Sequence, residues 1–124
     1  MICEDTDRKG WHMIDWAHVA DLYADFGEEG FSEVLQVFAT EVQDGLAQLE
    51  AAQTPDEHQN AFHFLKGAAL NLGFQQISMF CSMGEIRAAR GEDFTLHKQQ
   101  VIALFPQTCA RLEQQWRQQL AMSA

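Results

Sequence analysis

Phe31, Leu35, Phe38, Val42, Leu46 and Leu49 recur at steps of four, three, four, four and three, while Glu33, Glu41, Gln43, Asp44 and Glu50 fall mostly off that stripe. Apolar residues at this period mark one buried face of a helix, and the pattern predicts a helix from about Gly30 or Phe31 to Gln53. Gly45, on the margin of the stripe, offers a place for a neighbouring helix to come close. Upstream, Val19, Leu22, Tyr23 and Phe26 predict a short helix capped by Asp15 and ended by Gly27. Downstream, Thr54-Pro55-Asp56-Glu57 is a helix start: a capping threonine, proline at the first helical position and a glutamate that completes a capping box. Ala61, Phe62, Leu65, Ala68, Ala69 and Leu72 then face inward, with Gly73 as a left-handed terminus and Phe74 as its apolar contact. A further helix is predicted over 75–90, with Ile77, Phe80, Cys81, Gly84 and Ala88 on one face and Gly91 ending it. The short loop between these two makes them antiparallel neighbours. The last helix runs from about Asp93–Thr95 to Met122, with Leu96, Val101, Leu104, Phe105, Thr108, Leu112, Trp116 and Leu120 on its apolar side. Pro106 lies within it and should kink or divide it. No strand signal, internal repeat or second domain accompanies this all-α pattern.

Composition narrows the functional classes. The 124 residues have room for one domain, read as 14–122, preceded by a polar lead-in over 1–13 whose Trp11 and Met13 can fold back onto it. A formal charge of −10 argues against nucleic acid and anionic membrane surfaces. No apolar run is long enough to span a membrane, and the N-terminus lacks a signal-peptide layout, so a cytoplasmic protein is expected. Cys3, Cys81 and Cys109 are odd in number and widely spaced; the last two read as small core hydrophobes and the first as a free thiol. A metal-binding bundle would need inward Glu-x-x-His pairs on two helices. None is present, and His12, His18, His58 and His97 are scattered without ligand spacing. His18 reads as a surface or packing residue.

The remaining histidine has company. Lys66 and Gly67 follow His63 by three and four positions and so share its surface. Glycine costs about 1 kcal/mol against alanine inside a helix, so this face has a use for open space. An imidazole, an ammonium and a vacant position suit a bulky anion, and a phosphoryl group on the imidazole fits.

His63-x-Leu65-Lys66-Gly67 followed by Asn71-Leu72-Gly73 resembles the signature of histidine-containing phosphotransfer (HPt) domains. Cys81-Ser-Met-Gly84-Glu85-Ile-Arg87-Ala-Ala-Arg90-Gly91 resembles the family's second bundle helix. The resemblance implies an antiparallel four-helix bundle, here with a short extra N-terminal helix. It also implies a phosphorelay intermediate of two-component signalling, with His63 as phosphoacceptor between receiver-domain aspartates. Lys66 would offset phosphoryl charge and Gly67 would admit the partner. Glu85 would orient the imidazole, many members having an acidic or amide residue at that place. Asn71 and Gly73 would shape the helix end, and Arg87 and Arg90 would serve either a partner or the helix dipole. The expected partners are receiver domains of a hybrid sensor histidine kinase and of a response regulator, which would supply the acidic pocket and Mg2+; the chain itself would hold no cofactor and act as a monomer. No P-loop or kinase motif is present, so a carrier rather than an enzyme is expected. The competing reading is an adaptor that binds and sequesters receivers without transfer. Four positions depart from the family pattern: Ala68 and Ala69 where small hydroxyl residues are common, Phe74 where a smaller residue is common, and Gly84 where leucine is expected.

Overall fold

The computed structural model describes residues 13–123; residues 1–12 of the lead-in, with Cys3, Trp11 and His12, lie outside the described residues. Four helices account for most of the rest: α1 (Trp16–Ala51), α2 (Pro55–Leu72), α3 (Gln75–Arg90) and α4 (Thr95–Ser123). Among the described residues there is no strand.

Helix α1 begins where Asp15 Oδ1 accepts hydrogen bonds from the backbone N–H groups of Ala17 (3.1 Å) and His18 (3.3 Å). The two helices expected on either side of Gly27 are one 36-residue run broken at that residue alone, with φ 75° and ψ 175°. Glycine tolerates this backbone conformation, and helical geometry resumes immediately after it. The change of direction lets Tyr23 pack edge-on against Phe31 (5.7 Å between centroids) and beside Trp116 of α4. Phe26, expected on the same stripe, is exposed. Met13 packs against the core, as the sequence suggested.

Helix α2 opens with the predicted capping box: Thr54 Oγ1 accepts from Glu57 N–H, and Glu57 Oε1 accepts from Thr54 N–H. It closes at Gly73 (φ 77°, ψ 24°), where Gly73 N–H donates to the Leu70 carbonyl and Phe74 N–H to the Ala69 carbonyl. The start of α1 docks on this turn. Asp15 N–H donates to the Gly73 carbonyl at 2.8 Å, His18 Nε2 donates to the Asn71 carbonyl at 2.7 Å, and Gln75 Nε2 donates to Asp15 Oδ2. Asn71 and Gly73 thus serve the helix end, and His18 is a packing residue.

The helices pack as a closed ring in which α1 meets α2, α2 meets α3, α3 meets α4 and α4 meets α1. Phe31, Phe62, Phe74 and Phe105 fill its centre. Phe74 is fully buried, which accounts for a large residue where a smaller one was expected. Gly45 lets α2 approach α1, since a Cβ there would stand 2.7 Å from Leu65 Cδ2 and 2.8 Å from Phe64 Cδ2.

Of the two outcomes expected at Pro106, division of α4 does not occur, and one position expected on the apolar side of α4 faces outward. Pro106 does not divide it: the helix is continuous across the proline, and Val101, Phe105, Leu112 and Trp116 are buried on both sides, anchoring each half. Leu96 does not face inward and is 62% exposed. It precedes Val101 by five residues, about 140° round a helix turning 100° per residue, and Phe94 packs at that end instead.

Candidate functional site

The hairpin of α2 and α3 brings three of the four predicted site residues together. His63 Nδ1 lies 2.9 Å from Glu85 Oε2, and Lys66 Nζ lies 2.8 Å from Glu85 Oε1. Exposure is graded across the group: 69% for the His63 side chain, 29% for Lys66 and 19% for Glu85. The carboxylate therefore sits at the floor between the helices while the imidazole stands in solvent. Partial burial of Glu85 disfavours its ionisation and is the largest single influence. Hydrogen bonds from Lys66 and His63, with their charges, outweigh it and hold the carboxyl below its ordinary range.

That ionised state fixes the imidazole. A carboxylate only accepts, so Nδ1 carries the proton it shares with Glu85, and the neutral tautomer compatible with this contact has its lone pair on Nε2. Nε2 makes no hydrogen bond among the described residues. In that tautomer the arrangement presents an oriented ring nitrogen to solvent with an ammonium one turn away, as nucleophilic attack on an electrophile carrying negative charge requires.

Two glycines frame this geometry from opposite sides. Gly84 stands where leucine was expected because a Cβ there would come 2.5 Å from Phe62 Cζ. Phe62, buried next to His63 in sequence, presses into the space Gly84 leaves, and this close approach of α2 and α3 carries Glu85 within reach of His63. Gly67, by contrast, is exposed, and a Cβ there would meet nothing within 4 Å. Internal packing does not require it, so the vacancy lies on the outer surface beside His63.

Some features went unread in the sequence. Met79, Met83 and Ile86 form an exposed apolar stripe on α3, and Leu70 is exposed two turns along α2 from His63. Their spacing of four and three was available as a second stripe, opposite the one formed by Ile77, Cys81 and Ala88. His58 is buried, with Nδ1 donating to the Thr54 carbonyl (2.8 Å) and Nε2 accepting from Lys98 Nζ (2.8 Å). Arg87 Nη1 donates to the Asp93 carbonyl and so holds the α3–α4 loop; Arg90 is exposed. Burial pushes the Cys81 thiol up to about 12, against the opposing charge of Lys66, and the Cys109 thiol up to about 11. Neither is activated as a thiolate. Among the described residues, no group of three or more His, Cys, Asp or Glu side chains could hold a metal ion, and no helix is long and apolar enough to cross a membrane.

The family model of the Hpt domain matches residues 33–123, nearly all of the ring of helices beyond the Gly27 break. No curated protein and no solved structure matches the chain. The chain belongs to the Hpt domain family, whose members are phosphocarrier modules of two-component phosphorelays rather than kinases.

Proposed function

We propose that this Hpt domain protein relays phosphoryl groups between receiver-domain aspartates through a phosphohistidine at His63. The observation that carries the reading is the exposed His63 ring whose Nδ1 is held by the ionised Glu85 at 2.9 Å, leaving the Nε2 lone pair free. In the forward step that lone pair attacks the phosphorus of an aspartyl phosphate. The N–P bond forms as the P–O bond to the receiver's aspartate breaks, and the aspartate leaves as a carboxylate. The Nδ1 proton stays in place, so the ring becomes positive beside Glu85, which stabilises it. Lys66 offsets phosphoryl charge, and Gly67 leaves room for the partner's loops. Such a transfer rests on positioning and charge neutralisation more than on covalent help from the protein, so few residues suffice.

The reading extends to the surroundings. The ring of helices fits an antiparallel four-helix bundle over 14–122, with the segment of α1 before Gly27 as the added N-terminal helix. The partners are receivers of a hybrid sensor kinase and of a response regulator, which supply Mg2+ and the acidic pocket. Leu70, Met79, Met83 and Ile86 offer them an apolar docking surface on the two helices that carry His63 and Glu85. The protein acts as a monomer in the cytoplasm and holds no cofactor of its own.

The test is transfer of label from a panel of phosphorylated receivers to the wild type and to His63→Ala. Label should move to the wild type alone and be acid-labile and base-stable. Receivers that bind without giving up label would make the protein an adaptor, and label on His63→Ala would assign the wrong residue.

A further inference from the structure

Glu85 serves two partners at once, one through each oxygen: His63 Nδ1 at 2.9 Å and Lys66 Nζ at 2.8 Å. Lys66 is less than half as exposed as His63, 29% against 69%. Its ammonium is therefore folded back onto α3 rather than extended beside the open Nε2. Committed to a carboxylate, its charge is already largely offset, and little remains for an incoming anion.

We propose that phosphorylation of His63 makes Lys66 change partners, leaving Glu85 for the phosphoryl oxygens. Glu85 is then a positioning residue that governs how much of the lysine's charge the phosphoryl group receives. This rests on the reading of His63 as phosphoacceptor. The charge balance drives the exchange. Before transfer, the Glu85 carboxylate faces a neutral ring and one ammonium. After transfer, the ring keeps its Nδ1 proton and carries a full positive charge at the same carboxylate oxygen, while the phosphoryl group carries two negative charges. Glu85 no longer depends on Lys66, and the dianion competes for it. Lys66 sits one helical turn from His63, so the same flexible stem serves both positions. The unobstructed surface at Gly67 leaves the phosphoryl flank open.

The alternative is a fixed bridge in which Lys66 stays on Glu85 throughout and only holds the carboxylate against the ring. The two differ in the sign of a double-mutant cycle. Phosphoramidate is a suitable probe because it needs no partner protein: its P–N bond breaks with loss of ammonia as the His63 N–P bond forms. Phosphorylation of wild type, Lys66→Met, Glu85→Gln and the double variant is followed by 31P NMR, with His63→Gln as control and circular dichroism to verify helix content. Partner exchange predicts that Lys66→Met slows phosphorylation about threefold or more further in the Glu85→Gln background than in wild type, because the competitor for the ammonium has gone. An equal or smaller effect in that background overturns the exchange. So does a Lys66 15Nζ resonance in the wild type that stays put on phosphorylation. Phosphate on His63 with either of these results sinks the exchange alone. A wild type that takes no phosphate at His63 removes the phosphoacceptor reading, and the exchange falls with it.

Discussion

Gly67 and Gly84 are both glycines inside helices, and their substitution should have opposite effects. At Gly84 a methyl group meets the Phe62 ring 2.5–2.7 Å away. Gly84→Ala should cost about 1–3 kcal/mol in urea denaturation, as overpacked cores do, and should lower transfer by moving Glu85 off His63. At Gly67 a methyl group meets nothing, so Gly67→Ala should gain up to about 1 kcal/mol from helix propensity. Its phosphorylation by phosphoramidate should be unchanged while transfer from a receiver slows; equal slowing with both donors would deny Gly67 its access role. Glu85 adds a pH signature. Its folded-state carboxyl is depressed, burial opposing and the Lys66 and His63 bonds prevailing. A depressed carboxyl stabilises the fold above the unfolded value and loses that contribution as pH falls through the folded one. The urea midpoint of wild type over Glu85→Gln should therefore be largest at neutral pH, begin to shrink near the unfolded carboxylate range at about pH 4, and vanish below the folded value. A gap that widens on acidification would count against the pairing.

Helix α2 was legible from end to end because each signal in it is local. The capping box needs residues three apart, the core stripe needs period 3.6, and the Gly73 terminus needs one residue. Glu85 was legible less directly: the short loop makes α2 and α3 antiparallel and can bring it level with His63, while its role as orienter came from the family resemblance. Helix α1 was half legible. Gly27 was read as the end of one helix and the next was begun at Gly30 or Phe31, whereas Gly27 is the single non-helical residue between them. At Pro106 the sequence left kinking and division open, and burial on both sides of the proline keeps α4 undivided despite the lost backbone hydrogen bond. The hardest case was His58, forty positions from Lys98, a separation that periodicity cannot see. That pair ties the start of α2 to the start of α4, helices that are not neighbours in the ring, with Phe94 stacked 4.4 Å from the imidazole. Lys98→Met would leave His58 Nε2 buried without a donor. The expected cost is about 1–2 kcal/mol, read as a lower urea midpoint with unchanged helix content.

At the scale of the whole molecule the charge is unevenly placed. Of eighteen acidic and eight basic side chains, the α2–α3 hairpin holds Asp56, Glu57 and Glu85 against Lys66, Arg87 and Arg90. With histidines neutral, it carries no net charge in a chain of −10, all of which falls on the remainder. A partner with an acidic pocket is repelled by most of this molecule and tolerated at the α2–α3 hairpin, which favours docking in one orientation. Charge alone supplies little affinity there, so the exposed apolar stripe must provide it. Ile86 is the informative position: it is 48% exposed and adjacent in sequence to Glu85. Ile86→Asp places a negative charge in the surface that should meet the acidic partner and removes apolar area from it. Receiver transfer should fall roughly tenfold or more, as at a central interface residue. Stability should change by no more than about 0.5 kcal/mol, as at ordinary surface sites, and phosphoramidate should still label His63. Val37→Asp is the matched control, since Val37 is 58% exposed but lies on α1, outside the hairpin. It adds the same charge to the same net total, so a general electrostatic effect would slow both variants alike. Loss at Ile86 with none at Val37 would place the receiver on the α2–α3 face; equal loss would leave net charge, rather than a docking surface, as the cause.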